Sequence, residues 1–154
     1  MVEQRTENPW VGGSSPPLDN KKLIYNMNHL LWDMLTRLRN GYKARKLSIL
    51  QPKNKLCGQL LDIFYKEGFI LGYKISKTNP NKFEIFLKYY KEKPVMHKIT
   101  CISKPSRRIY ISVQNLWKLN TGLSLLILST SKGILSDKDS RRLNVGGEIF
   151  CIIK

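Results

Sequence analysis

Two hydrophobic periodicities share this chain, and together they restrict the folds open to it. Leu30, Leu31, Met34, Leu35, Leu38 and Tyr42 recur every three or four residues, while Asp33, Arg37 and Asn40 fall between them. That spacing predicts an amphipathic helix with one buried face. Phe83, Ile85, Leu87 and Tyr89 alternate instead, as the inward face of a strand does. A chain carrying both patterns must pack helices against sheets, so the fold class is α+β.

The remaining elements follow from local signals. Gly41 marks the expected end of the first helix. Leu47 to Leu50 reads as a short strand stopped by Pro52. A second helix carries Leu56, Leu60, Leu61, Phe64 and Tyr65 as its apolar stripe and ends at Glu67-Gly68. Phe69–Ser76 and Phe83–Tyr90 form a hairpin across the turn Asn79-Pro80-Asn81. Beyond Pro94 the chain reads as a strand over Val95–Ser103, a basic turn over Pro105–Arg108 and a short strand at Ile109–Ile111. A helical turn or two follows over Val113–Leu119, then a buried strand over Leu123–Ser129. Ser136 opens a short helix, with Asp139 three residues on as a capping signal. Gly146-Gly147 is expected to stop that helix, and Glu148–Ile153 is the last strand.

This gives two small domains, α-β-α-β-β over residues 27–93 and mostly β with short helices over residues 94–154. Residues 1–26 form an extension. Pro9, Gly12, Gly13, Pro16 and Pro17 break regular structure in it, and residues 1–22 are expected to be irregular. Trp10 makes it either a free tail or a strap on a neighbouring molecule.

Charge then narrows the partners. Lys and Arg total 27 against 11 Asp and Glu, a net charge of +16. Residues 1–26 are balanced, with Arg5, Lys21 and Lys22 against Glu3, Glu7 and Asp19. The excess therefore lies in the foldable part, as basic surfaces rather than a basic tail. Such a surface suits a polyanion, nucleic acid before an anionic membrane. No apolar run reaches the roughly 20 residues of a membrane span, and the N-terminus lacks the order of a secretory signal or a transit peptide. Cys57, Cys101 and Cys151 are odd in number and far apart, which predicts reduced thiols rather than disulfides or a zinc site.

The segment Ser129-Thr130-Ser131-Lys132-Gly133 concentrates the available chemistry. It follows the apolar run Leu125–Leu128 and lies in a stretch, Lys93 to Ser136, that contains seven Lys or Arg and no acid. Short hydroxyls reach 2′-hydroxyls, phosphates and base edges, and a glycine lets a backbone approach closely. On residues alone it is equally a serine-rich strand exit. Ser129 and Lys132 match a serine-x-x-lysine spacing, yet the companion motifs of those enzymes are missing. His29 and His97 have no partner at metal-ligand spacing, and no phosphate loop is present. No catalytic residue, metal or cofactor is expected. Arg107, Arg108 and Lys104 flank Pro105 with Tyr110 close behind, a set that can hold phosphates and stack on a base. Arg37, Arg39, Lys43, Arg45 and Lys46 cluster at the end of the first helix. Lys53 and Lys55 near the start of the second oppose its dipole, which a bound phosphate would relieve.

These residues resemble a known family. Gly122-Leu123, Ser129-Thr130-Ser131-Lys132-Gly133-Ile134, Asp137, Arg141, Gly146-Gly147-Glu148-Ile149 and Cys151 are similar, in order and spacing, to the C-terminal signature of small-subunit ribosomal protein eight in its bacterial type. Asp33 to Asn40, Pro52, Lys55-Leu56, Glu67 to Ile70, Lys104-Pro105 and Arg108 to Tyr110 fit the rest, so the resemblance covers residues 27–154. His29-Leu30 stands where the family usually has Asp-Pro, and Ser106 and Ser124 replace usual glycines.

The resemblance implies two domains and a protein that binds a helix in the central domain of small-subunit ribosomal RNA early in assembly. It implies contacts from Ser129, Thr130, Ser131, Lys132 and Gly133, aided by Tyr110 and Glu148, with Thr36, Arg37 and the surface near Lys55 adding to them. With the basic residues above, the candidate RNA contacts also include Arg107, Arg108, Arg39, Asn40 and Lys53. Implied neighbours are the small-subunit proteins of the five and seventeen types, with no membrane and no small-molecule substrate. A composition rich in Lys, Asn, Ile and Tyr, together with the extension, points to a mitochondrial ribosome, with a plastid or bacterial one as alternative. A free-standing RNA-binding regulator of the same fold is the second functional reading, and an enzyme using Ser129 and Lys132 the third.

Overall fold

The computed structural model describes residues 18–104, 106–119, 122 and 124–154, with side chains from His29 onward. Helix α1 spans Leu18–Lys43. It begins inside the stretch expected to be irregular. The breakers end at Pro17, and Leu18 to Met27 contains neither Gly nor Pro, so the helix extends upstream from its packed segment. Trp10 and the rest of residues 1–17 lie outside the described residues. The expected stripe is the buried face: Leu31, Met34, Leu35, Leu38 and Tyr42 are all buried.

Gly41 does not end α1. A Cβ there would sit 2.8 Å from Ile49 Cγ2, so Gly41 lets the helix cross close to strand β1 (Ser48–Pro52). The helix ends at Arg45, whose φ is +51°. Arg45 N–H donates to the Tyr42 carbonyl (3.2 Å) and Lys46 N–H to that of Gly41 (3.0 Å), the paired bonds of a Schellman stop.

Helix α2 (Lys55–Lys66) starts at Asn54, whose side chain accepts from Leu56 N–H. Cys57, Leu60, Leu61, Ile63 and Phe64 are buried. Tyr65, placed on the stripe from sequence, lies at its edge and is exposed. Gly68, at φ +76°, follows the helix. Strands β2 (Ile70–Ile75) and β3 (Lys82–Leu87) form the expected hairpin, and β1 joins it in an antiparallel sheet of order β1-β3-β2. The strand expected to continue to Tyr90 breaks at Lys88. Strands β4 (Tyr89–Tyr90) and β5 (Lys93–Pro94) then make a separate hairpin.

The five-stranded sheet comprises β6 (Ile99–Cys101), β7 (Tyr110–Ile111), β8 (Leu125–Thr130), β9 (Gly133–Ser136) and β10 (Gly147–Ile153). Its order is β6-β10-β8-β9, with β7 paired to the start of β10 on the β6 side. Strand β6 is much shorter than the Val95–Ser103 expected. Helix α3 (Val113–Lys118) is capped by Ser112. Helix α4 (Asp137–Arg142) is capped by Ser136, whose hydroxyl accepts from Asp139 N–H as expected. Asn144, at φ +53°, ends α4. Gly146-Gly147 serves packing instead.

Helices α1 and α2 and the two larger sheets share one apolar cluster running from Leu31 through Phe64 and Ile85 to Ile127, Phe150 and Ile153. Burying each large aliphatic side chain contributes about 1.5–3 kcal/mol. A second cluster of Leu116, Leu126 and Leu128 seats α3 against β8. Leu125 to Leu128 are thus buried on both faces of their strand, which explains the unbroken apolar run. Among the described residues no helix is long and apolar enough to cross a membrane.

Candidate nucleic-acid interface

The serine-rich segment is a tight hairpin tip rather than a strand exit. Thr130 pairs with Gly133, leaving Ser131 and Lys132 as the turn between β8 and β9. Gly133 takes φ +106°, a conformation favouring glycine. The Thr130 hydroxyl accepts from Lys132 N–H (3.2 Å) and donates to the Gly133 carbonyl (2.9 Å). That hydroxyl is committed to holding the turn. Ser129, Ser131 and Lys132 are exposed. The Gln59 side-chain amide of α2 lies 3.4–3.5 Å from where a Gly133 Cβ would be, so the second helix braces the hairpin.

Strand β10 brings distant residues to this tip. Glu148 is the register partner of Ser129 on β8 and of Tyr110 on β7. Strands lie 4.7–4.9 Å apart, so Tyr110 and Ser129 flank Glu148 across about 10 Å. A Cβ on Gly147 would lie 2.3 Å from the Ser129 carbonyl oxygen, and one on Gly146 2.6 Å from that of Ile111. Only glycines let the start of β10 slip between those two backbones. Arg108 Nη1 donates to Glu148 Oε1 at 2.9 Å, which fixes the guanidinium beside the row. Tyr110 projects outward, 70 % exposed.

The turn before β7 is closed by reciprocal bonds between Lys104 and Arg107, N–H to carbonyl at 2.9 and 3.0 Å. Pro105 lies outside the described residues. Arg107 is exposed at this turn. The buried Ser103 hydroxyl accepts from Ile109 N–H (3.1 Å), locking the segment that delivers Arg108 and Tyr110. The structure therefore gathers Ser129 to Gly133, Arg108, Tyr110 and Glu148 around one end of the sheet.

The N-terminal candidates sit elsewhere. Arg37 Nε donates to Asp33 Oδ2 (2.8 Å) and its Nη1 to the Leu50 carbonyl (3.3 Å). The Thr36 hydroxyl donates to the Trp32 carbonyl at 2.9 Å. Arg37 and Asn40 line a groove of about 910 Å³ along β1, together with Lys46, Lys74, Lys77 and Thr78. Lys74, Lys77 and Thr78 were not singled out from sequence, because their contribution depends on the β2–β3 hairpin pairing with β1. Arg39 is separate from this groove: its Nη2 donates to the Ile99 carbonyl at 2.8 Å, tying α1 to β6. Lys53 and Lys55 are exposed on either side of the Asn54 cap of α2.

Two signature residues have structural work. Arg141 donates from Nε (3.2 Å) and Nη2 (3.0 Å) to the Leu116 carbonyl and from Nη2 to that of Leu119 (2.9 Å). It thereby satisfies carbonyls at the end of α3 that the helix leaves open, with Asp137 3.5 Å away. Ser129 and Lys132 make no hydrogen bond to each other, and Lys132 stands in solvent. An activated serine needs a base within hydrogen-bond reach, and this pair does not supply one.

The profile of the family described as Ribosomal protein S8 matches residues 29–153. A small ribosomal subunit protein uS8 from Rhizobium rhizogenes is 43% identical over 129 residues, covering 82% of this chain and 98% of the relative. That of Brucella ovis is 45% identical over 125 residues, 80% and 95% of the two chains. That of Rhodospirillum centenum is 43% identical over 128 residues, 82% and 97%. With the profile spanning nearly all of the described core and these identities carried over most of both chains, the protein belongs to the ribosomal protein S8 family.

Proposed function

We propose that this chain is a structural, non-enzymatic constituent of the small ribosomal subunit that binds the central domain of small-subunit ribosomal RNA during assembly. The observation that carries this reading is the convergence at one sheet end of Tyr110, the Arg108–Glu148 pair and the exposed Ser129, Ser131 and Lys132. An exposed aromatic, fixed cations and short hydroxyls are the groups that meet bases, phosphates and 2′-hydroxyls of RNA. Thr130 and Gly133 shape the turn that presents them. Thr36, Arg37, Asn40, Lys53 and Lys55 provide further backbone contacts from the N-terminal domain, and Arg107 adds a phosphate contact at its turn. Arg39 contributes through its tie to β6 and its remaining donors.

Residues 27–93 and 94–154 act as two units on one core, each offering its own RNA-facing surface. The neighbours are small-subunit proteins of the five and seventeen types, and the compartment is the mitochondrion. Composition and the N-terminal extension support the organelle, and bacterial relatives suit an organelle of bacterial descent. The test is sedimentation of extracts from the source organism. The reading expects the chain in small subunits of purified mitochondria. Its presence only in free messenger complexes would replace this reading with the regulator, and its presence only in another compartment's small subunits would correct the location alone.

A further inference from the structure

The β4–β5 hairpin itself contains none of the residues assigned above, although Arg39 of α1 lines the groove beside it, and its make-up is unusual. Tyr89 anchors it: the phenol donates to the Lys46 carbonyl at 2.7 Å, and its ring meets Tyr42 edge-on at 5.6 Å. Tyr90 projects outward, 67 % exposed, with Lys91 Nζ 5.5 Å from its ring centroid. Lys91 and Glu92 form the turn with φ of +47° and +62°, the two left-handed residues of a tight hairpin loop. The ring is thus held out on a short, anchored support.

Around it runs a basic, concave face. A groove of about 540 Å³ beside Tyr90 meets a second of about 350 Å³ at Pro94 and His97. The two are lined by Lys88, Lys91, Lys93, Lys98, Lys43 and Arg39, with no acidic residue among the described residues of either lining. Glu92 stands at the adjoining turn. Lys43, Lys93 and Lys98 form no ion pair among the described residues. His97 and Lys98 donate their N–H groups to the main-chain oxygen of Lys154, just past the end of β10. Glu148 lies near the other end of that strand. Six residues at about 3.3 Å each separate the two faces by about 20 Å, too far for one stacked nucleotide to serve both.

We propose that the β4–β5 hairpin and the grooves beside it are a second RNA-binding surface, which stacks an unpaired base on Tyr90 and neutralises the phosphates of a strand distinct from that at the β8–β9 turn. The inference rests on the RNA-binding reading above and extends it: the protein clamps two RNA segments to opposite ends of one sheet. An exposed ring among cations favours RNA over an acidic protein, because a base has a π-face to stack and a carboxylate does not.

Fluorescence anisotropy on the full chain tests this with two probes, a labelled 12-nucleotide oligouridine and an unlabelled central-domain fragment of small-subunit ribosomal RNA. Protein saturated with the fragment is expected still to bind oligouridine. Tyr90→Ala should weaken oligouridine binding about tenfold or more, and Tyr90→Phe should restore it. A Lys91→Ala/Lys93→Ala double variant should reduce the salt slope by about 1.4, two phosphates at about 0.7 each. The proposal is overturned if the fragment displaces oligouridine completely while the hairpin variants bind it normally. It is equally overturned if polyglutamate competes as well as oligouridine and Tyr90→Ala costs nothing, which would mark an acidic-protein site. Failure of the wild type to bind the fragment would instead count against the β8–β9 site, with the hairpin variants still reporting on oligouridine.

Discussion

Replacing Gly147 by Ala should damage stability and RNA binding together. The added Cβ would lie 2.3 Å from the Ser129 carbonyl oxygen and 3.0 Å from the Thr130 methyl group. Ordinary carbon–oxygen contacts are more than 3 Å, so β8 or β10 must move by about 1 Å. The nearest obstacle is backbone, which cannot rotate away as a side chain would. Overpacking of this kind costs about 1–3 kcal/mol, and loosening the adjoining backbone hydrogen bond about 1 kcal/mol more. The sum, about 2–4 kcal/mol, is a large share of the roughly 5–15 kcal/mol that holds a domain folded. It corresponds to a fall in Tm of roughly 4–16 °C for a chain of this size. The same displacement separates Ser129 from Glu148 and Tyr110, so RNA affinity should fall even well below the new Tm. Differential scanning calorimetry and filter binding at a fixed salt concentration would measure both. Gly122 is the control. It has φ +56° and, among the described residues, no atom within 4 Å of its missing Cβ, so Gly122→Ala should cost mainly backbone strain, about 1 kcal/mol. A Gly147→Ala protein with wild-type Tm and affinity would refute the close passage of β10 past Ser129.

Gly58→Ala should stabilise the protein by about 0.5–1 kcal/mol in urea melts, since Gly58 is helical and, among the described residues, its missing Cβ would meet only Phe83 at 3.9 Å. Arg141→Ala should cost about 2–3 kcal/mol, because three charged hydrogen bonds to the end of α3 are lost together; an unchanged urea midpoint would remove that role. Lys132→Ala should lower the salt slope of ribosomal RNA binding by about 0.7–0.9, whereas Ser131→Ala should leave the slope alone and cost about 1 kcal/mol. Burial pushes the Cys57 thiol from 9.0 up to about 11. The folded protein then keeps a proton that the unfolded chain releases, so this stabilisation is intact below pH 9 and is lost as pH rises towards about 11. The urea midpoint should fall between pH 8 and about pH 10.5, and the fall should shrink in Cys57→Ala.

Helix α1, helix α2, the β2–β3 hairpin and the apolar strand β8 were legible because each carries its own period or an unbroken apolar run. The Ser136 cap was legible because side chain and target amide are three residues apart. Glycines were harder. Gly41 and Gly146-Gly147 were read as helix stops, yet their role is set by Ile49, Ile111 and Ser129, which approach only after folding. The actual stops are Arg45 and Asn144 at positive φ, and the bond pattern there is invisible in residue type. Strand β9 was missed because Gly133 to Ser136 is short and half polar, and is defined by its partner β8. Strand β4 was absorbed into the preceding strand and β5 was missed, since Lys91-Glu92 lacks the glycine or asparagine that usually announces such a turn.

The candidate site divides in the same way. Ser129 to Gly133 is contiguous and stood out at once. That Glu148 sits between Ser129 and Tyr110 depends on β10 pairing with both β7 and β8, a relation between residues up to 38 positions apart. That Thr130 spends its hydroxyl inside the turn, and Arg39 one of its donors on Ile99, are likewise facts of geometry.

The most direct test of the account is a UV crosslinking map, read by mass spectrometry, of the full chain bound to small-subunit ribosomal RNA. The account predicts crosslinked nucleotides on the peptides containing Ser129 to Lys132 and Tyr110, from one continuous region of the central domain. Efficient crosslinking elsewhere on the protein, with both of those peptides free of nucleotide, would contradict it.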